Sequence, residues 1–334
     1  RKGDKWGFSD ANKKLVVQPN YDQAYRFSEG LAVITRDGKF GWMNEKGKEE
    51  TWFEQYEYVE SFSEGMAVFA RGGKFGFIDK SGKEVVLPKY DSAYAFSEGM
   101  ARVLVHSKQG FAKQGFVNKN GDETQIKYDG AREFSEGLAC VHLDHKYGFL
   151  DNKGNEVIPL QYDFADSFSE GLARVERNGK QGFIDKSGRE VIALKYEMVL
   201  DFKEGMASVS SNTGDMFIDK GGTIIFTLDK LKANSFSEGL AHVVDSNKHG
   251  FIQGYIDKSG HLVIPLKYKL ATFFSEGLAA VKLGGKYGFI DKTGKEVIPF
   301  KYDGAKSFFQ GLAEVTVGTN FGYIGKDGTE YFEP

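Results

Sequence analysis

The 334-residue chain carries 44 Lys and Arg against 47 Asp and Glu, a formal charge of −3, with both signs interspersed and no basic stripe, so nucleic-acid binding has little electrostatic footing. A single cysteine, Cys140, excludes an intrachain disulfide, and no apolar run approaches the roughly 18 residues of a membrane-spanning helix. Glycine at 42 beside only 6 Pro, with 29 Phe and 16 Tyr, points to tight turns between short aromatic strands and not to disorder.

The chain opens at Arg1 in RKGDKWGF, with neither Met nor a signal-peptide pattern, and so reads as a processed or excised piece. From there a glycine in F-S-E-G or a close variant recurs at Gly30, Gly65, Gly99, Gly137, Gly171, Gly205, Gly239, Gly277 and Gly311, in steps of 34 or 35 residues with two of 38. A second glycine, between aromatic or Gln neighbours, recurs at Gly7, Gly41, Gly76, Gly115, Gly148, Gly182, Gly254, Gly288 and Gly322, and Met216 stands where the missing member would be. A period near 34 held this long is the mark of a repeat array.

Departures from the period follow in chain order. Gly47–Glu60 is acidic and aromatic and lacks the Ile-Pro pair. The two longer steps lengthen loops within His106–Phe116 and Asn247–Ile256. Asp215–Asn234 loses its glycine signature, with Lys230 where the other units have Tyr, and the last unit ends in EYFEP.

The clearest unit is Gly277–Phe308, GLAAVKLGGKYGFIDKTGKEVIPFKYDGAKSF. Its alternation predicts strands at Leu278–Leu283, Lys286–Asp291 and Lys295–Tyr302. D-K-T-G-K predicts a type I turn closed by a left-handed glycine. The stretch after Tyr302 reads as a polar connector or a short helical turn capped by Asp303. A lone unit buries too little surface to offset its chain entropy, so neighbours must cover one another. The expectation is an all-β, open, elongated or superhelical solenoid-like array of nine to ten three-stranded repeats over residues 1–334. A closed, propeller-like ring or pair of rings is the alternative; nine or ten units exceed the usual blade count.

These residues also carry a resemblance. E-G-L-A-x-V, then K-[WYF]-G-[FWY]-[IM]-[DN], then G-[KR]-E-V-I-P-x-x-Y-D resembles the WG-repeat family of bacterial proteins, with Trp6-Gly7 as the literal pair and Tyr147-Gly148 and Tyr287-Gly288 as conservative versions. The resemblance implies a β-rich module, often attached to other domains, that mediates interactions. It brings no catalytic residues.

Repetition itself argues against catalysis. Ser28, Ser63, Ser97, Ser135, Ser169, Ser237 and Ser275 occupy equivalent places, and a nucleophile needs one base and one oxyanion site in one pocket. Their expected role is structural, with hydroxyl and carboxylate serving turn amides. The Gly-rich stretches lack phosphate-loop spacing. His142 and His145 beside Cys140 would project to opposite faces of a strand unless the turn brings them together, and they read as a solvated loop, not a zinc site. No cofactor and no metal is expected.

The expected function is non-catalytic: a binding or scaffold module presenting an extended surface to a protein or peptide partner. A glycan-binding or glycan-processing protein is the alternative. One-off aromatics, and those in the lengthened loops, are the better surface candidates, so Trp42, Trp52, Tyr58, Phe111 and Phe251 are the expected partner-binding residues. Nothing in the residues separates a secreted or surface protein from a cytoplasmic one.

Overall fold

The computed structural model describes residues 3–9, 14–107, 110–212, 214–245 and 251–332, and every regular element within them is a β-strand. The chain divides into two compact units, Arg1–Ser167 and Phe168–Pro334. In each, the recurring element is a four-stranded antiparallel sheet whose strands lie side by side in chain order, the blade of a propeller. In the second unit one blade runs Leu270–Ala271, Leu278–Leu283, Lys286–Asp291, Glu296–Tyr302. In the first unit, comparable blades begin at Gln23, Tyr58 and Gly130.

This corrects the expected array of three-stranded repeats, and with it the open solenoid; the blades follow the propeller alternative. The added strand, first in chain order within its blade, comes from the segment read as a connector. Gly304 pairs with Thr316 and Ala305 with Val315. Two residues are too few to show an alternation. Asp303 caps a hairpin and not a helix, because its carboxylate accepts the Gly318 amide at 2.9 Å and pairs with Lys286.

Each F-S-E-G is a two-residue hairpin turn. Ser28 and Leu31 exchange both backbone hydrogen bonds, at 2.8 and 3.0 Å, with Glu29 at φ 52° and Gly30 at φ 83° between them. Positive φ at both central positions is the type I′ turn, whose twist matches the strands it joins. The outer D-K-[ST]-G turns form as expected. Gly294 N donates to Asp291 O at 2.9 Å with Gly294 at φ 83°, and Asp291 Oδ1 accepts the Thr293 and Lys295 amides at 2.9 and 3.0 Å.

The aromatic-flanked glycines serve close approach. A Cβ on Gly148 would sit 2.5 Å from Ile158 O, and one on Gly254 would sit 2.4 Å from Ile264 O. At these places the fourth strand bulges: Tyr147 opposes Tyr162 but Phe149 opposes Ile158, so the strand crowds the glycine near Pro159. Where Met216 replaces the glycine, Asp215 to Phe217 pair with Leu228 to Phe226 in even register, and the crowding bulge is gone.

Blades of one unit pack face to face through aromatic pairs. Phe77 meets Phe96 at 4.9 Å, Phe116 meets Phe134 at 4.8 Å, and Phe289 meets Phe308 at 4.9 Å, each joining one blade to the next. These tilted and edge-on pairs form the core.

A candidate side-chain cleft on the first unit

The repeated polar residues are spent on holding blades together. The Glu29 carboxylate crosses to the next turn and accepts Gly65 N at 2.9 Å, and Lys80 lies 3.1 Å away. The pattern recurs at Glu64 with Gly99 N and Lys119, and at Glu204 with Gly239 N and Lys258. Burial alone would raise the Glu29 and Glu204 carboxyls, but the lysine and the amides outweigh it and hold both below their ordinary values. The serine hydroxyls donate to the next unit's backbone: Ser28 to Phe62 O at 2.7 Å, Ser275 to Phe308 O at 2.7 Å. Their role is structural, though they reach forward one unit instead of serving their own turn.

The acid that follows the repeat tyrosine in most units, from Asp22 to Asp303, makes a second lattice; Lys269 takes its place after Tyr268. Asp91 pairs with Lys74 at 2.6 Å and accepts His106 N at 2.7 Å, which brings its carboxyl down to about 2. Asp129 pairs with Lys113 and Asp163 with Lys146, both at 2.6 Å. Glu57 departs from this pairing, as do Glu197, 4.0 Å from Lys180, and Lys269. Glu57 accepts Gly72 N and Gly73 N at 2.9 and 3.0 Å, but the lysine at the equivalent place, Lys39, turns to Glu54.

Beside Glu57 lies a cleft of about 480 Å³, between the strand Tyr58–Val59 and the next first strand, Ser92–Ser97. Its walls include Tyr58, Phe75 and Tyr94, and Glu57 and Glu60 supply carboxylates. Tyr58 meets Phe75 edge-on at 6.3 Å, and its hydroxyl donates to Glu60 at 3.0 Å. Burial, then Glu60, pushes the Tyr58 phenol up to about 12, so that donor stays protonated. The Arg102 guanidinium lies 3.6 Å over the Tyr94 ring, bound to Glu133 and Gln114.

Of the expected partner-binding residues, Tyr58 lines this cleft and is 39% exposed. Trp42 is corrected: it is 1% exposed, packed between Phe53 at 4.7 Å and Phe62 at 4.9 Å, because its strand is central to its blade. Trp52 is half-buried, stacked on Tyr21 at 6.5 Å, with Nε1 donating to Glu49 at 2.8 Å. Phe111 and Phe251 are exposed on separate loops. Lys108, Gln109 and Asn247–Gly250 of the lengthened loops, and Glu333 and Pro334 of the final EYFEP, lie outside the described residues. Reading the sequence missed Phe75, Tyr94, Glu57 and Glu60. The available signal was Glu57 itself, a longer acid where most units carry Asp.

A smaller cavity of about 130 Å³ is lined by Arg132, Cys140, His142 and Tyr147 among others. Burial pushes the Cys140 thiol up to about 12 and it donates to Ala165 O, which leaves it a poor nucleophile. Burial lowers the pKa of His142, which stacks on Tyr147 at 4.7 Å. Among the described residues no group of three or more His, Cys, Asp or Glu side chains is placed to hold a metal ion. No described helix is long and apolar enough to cross a membrane.

The profile of a family described as WG containing repeat matches residues 6–40, 40–75, 75–108, 115–147, 147–180, 182–212, 254–287 and 287–318. No curated protein matches the sequence. Among solved structures, a chain described as the extracellular domain of a hybrid two component system from B. thetaiotaomicron is 11% identical over 98% of this chain and 53% of its own, at a TM-score of 0.27. PorZ, a surface component of the type-IX secretion system of Porphyromonas gingivalis, is 11% identical over 94% of this chain and 52% of its own, at 0.29. An uncharacterized protein of Listeria monocytogenes is 11% identical over 84% of this chain and 95% of its own, at 0.37. This chain thus spans about half the length of the first two.

Proposed function

The chain belongs to the WG containing repeat family, and from that premise we propose that it is a non-catalytic module that binds a peptide segment of a protein partner in the cleft beside Tyr58. The supporting observation is the cleft itself, where Lys39 leaves Glu57 for Glu54 and Tyr58 and Phe75 form aromatic walls. Elsewhere the repeated carboxylates and hydroxyls are committed to holding blades, so they are not free for chemistry. Aromatic walls with a few placed polar groups are what anchor a side chain at an interface. A glycan reading is weaker, because the indole of Trp52 is already stacked and hydrogen-bonded.

The test is a displayed peptide library panned against the full chain. Recovered peptides should lose at least about tenfold in affinity when Tyr58→Ala and Tyr94→Ala are combined, a loss in line with one interface anchor. Binders indifferent to both changes would remove the cleft, and a glycan array that lights up while the library stays blank would transfer the reading to sugars.

A further inference from the structure

We propose that the cleft takes a guanidinium, the side chain of an arginine in the bound peptide; this rests on the cleft being the binding site. The argument comes from the chain's own arginines. Arg102 lies on the Tyr94 ring at 3.6 Å and bonds Glu133 at 2.9 Å. Arg36 lies 4.8 Å from the Tyr21 ring centre and 5.0 Å from that of Trp52, and it is bound to Glu49. Twice, then, this fold sets a guanidinium between an aromatic face and a glutamate. The cleft repeats those walls, with Tyr58 and Phe75 as rings and Glu57 and Glu60 as acids, and no described cation fills it.

The charges around the cleft support the same ligand. Lys74 at its edge is matched by Asp91, and Arg102 by Glu133. Glu57 is bonded only to amides and Glu60 to a phenol, so the cleft keeps two uncompensated carboxylates. A planar cation stacks on a ring face while its edge N–H groups reach carboxylates, which an ammonium does less well.

The probe is acetyl-Gly-Arg-Gly-Arg-Gly-amide against its citrulline twin, which keeps the planar urea but loses the charge. Titration calorimetry with the full chain should show the citrulline peptide at least about tenfold weaker, and Glu57→Gln with Glu60→Gln should weaken the arginine peptide equally. The single change Glu60→Gln leaves the Glu57 turn contacts intact, so a loss there with unchanged thermal unfolding separates recognition from folding. Citrulline and arginine peptides binding alike, or neither binding, would overturn the guanidinium assignment. Library peptides that depend on Tyr58 yet lack arginine would overturn it too, while leaving the binding cleft in place.

Discussion

Most of the repeated hairpin turns hold a glutamate in the left-handed region, and the last holds Gln310 at φ 52°. Glu204 sits at φ 54°, a region costly for a residue with a Cβ, and it is kept there by the bonds its carboxylate makes to the Gly239 amide and to Lys258. Removing the carboxylate leaves the strain without its compensation. Glu204→Ala should lower unfolding free energy by about 2 kcal/mol, the size of a charged hydrogen bond. Glu204→Asn tolerates positive φ and should lose roughly half as much. Urea unfolding of the two variants decides it; equal losses would mean that the backbone strain plays no part.

At the scale of strands, Gly148 in its blade's third strand and the bulge of the fourth strand, Glu156–Tyr162, are one device. Ile158 O lies 2.5 Å from where a Gly148 Cβ would be, so Gly148→Ala must push two paired strands apart. We expect a loss of about 3 kcal/mol, the upper range for overpacking. Gly221→Ala, whose Cβ would meet only the Asp219 side chain at 3.3 Å, should change little. Similar losses in both, read by denaturant midpoint, would show that flexibility and not crowding governs the site.

This coupling also explains what was legible in the sequence. Strands of five to seven residues alternate visibly, and D-K-T-G announces its turn, so three strands of each blade could be placed by reading. Gly304–Ala305 is two residues long and carries no period, and with that strand unseen the blade looked like a three-stranded solenoid unit. Trp42 misled because a one-off aromatic in a repeat looks like a surface feature, whereas it fills the inter-blade position that Phe77 and Phe289 fill elsewhere. The cleft was hidden for a different reason. It depends on Lys39 choosing Glu54 over Glu57, a choice between two carboxylates three residues apart that no pattern encodes.

Over the whole chain, the same few contacts recur, so a small effect at one turn is multiplied. In a repeat array, neighbour contacts sum into stability. Glu29, Glu64, Glu170, Glu204 and Glu276 all have carboxyls held below the ordinary 4.5 by their lysines and turn amides. Asp91 is lowered further, to about 2, first by Lys74 and then by the His106 amide. A depressed folded pKa contributes stability that is fully present above the unfolded value and is lost as pH falls through the folded one. Stability should therefore hold steady from neutral pH down to about 5 and fall steeply between about 4.5 and 2. The lysine pairs are exposed and individually weak, and salt screens them, but the carboxylate–amide bonds are little affected by salt. Urea midpoints at pH 7, 4 and 3 should thus drop far more than a move from low to about 1 M salt at pH 7 produces. A midpoint level between pH 7 and 3 would mean that these carboxylates, for all their regularity, do not hold the blades.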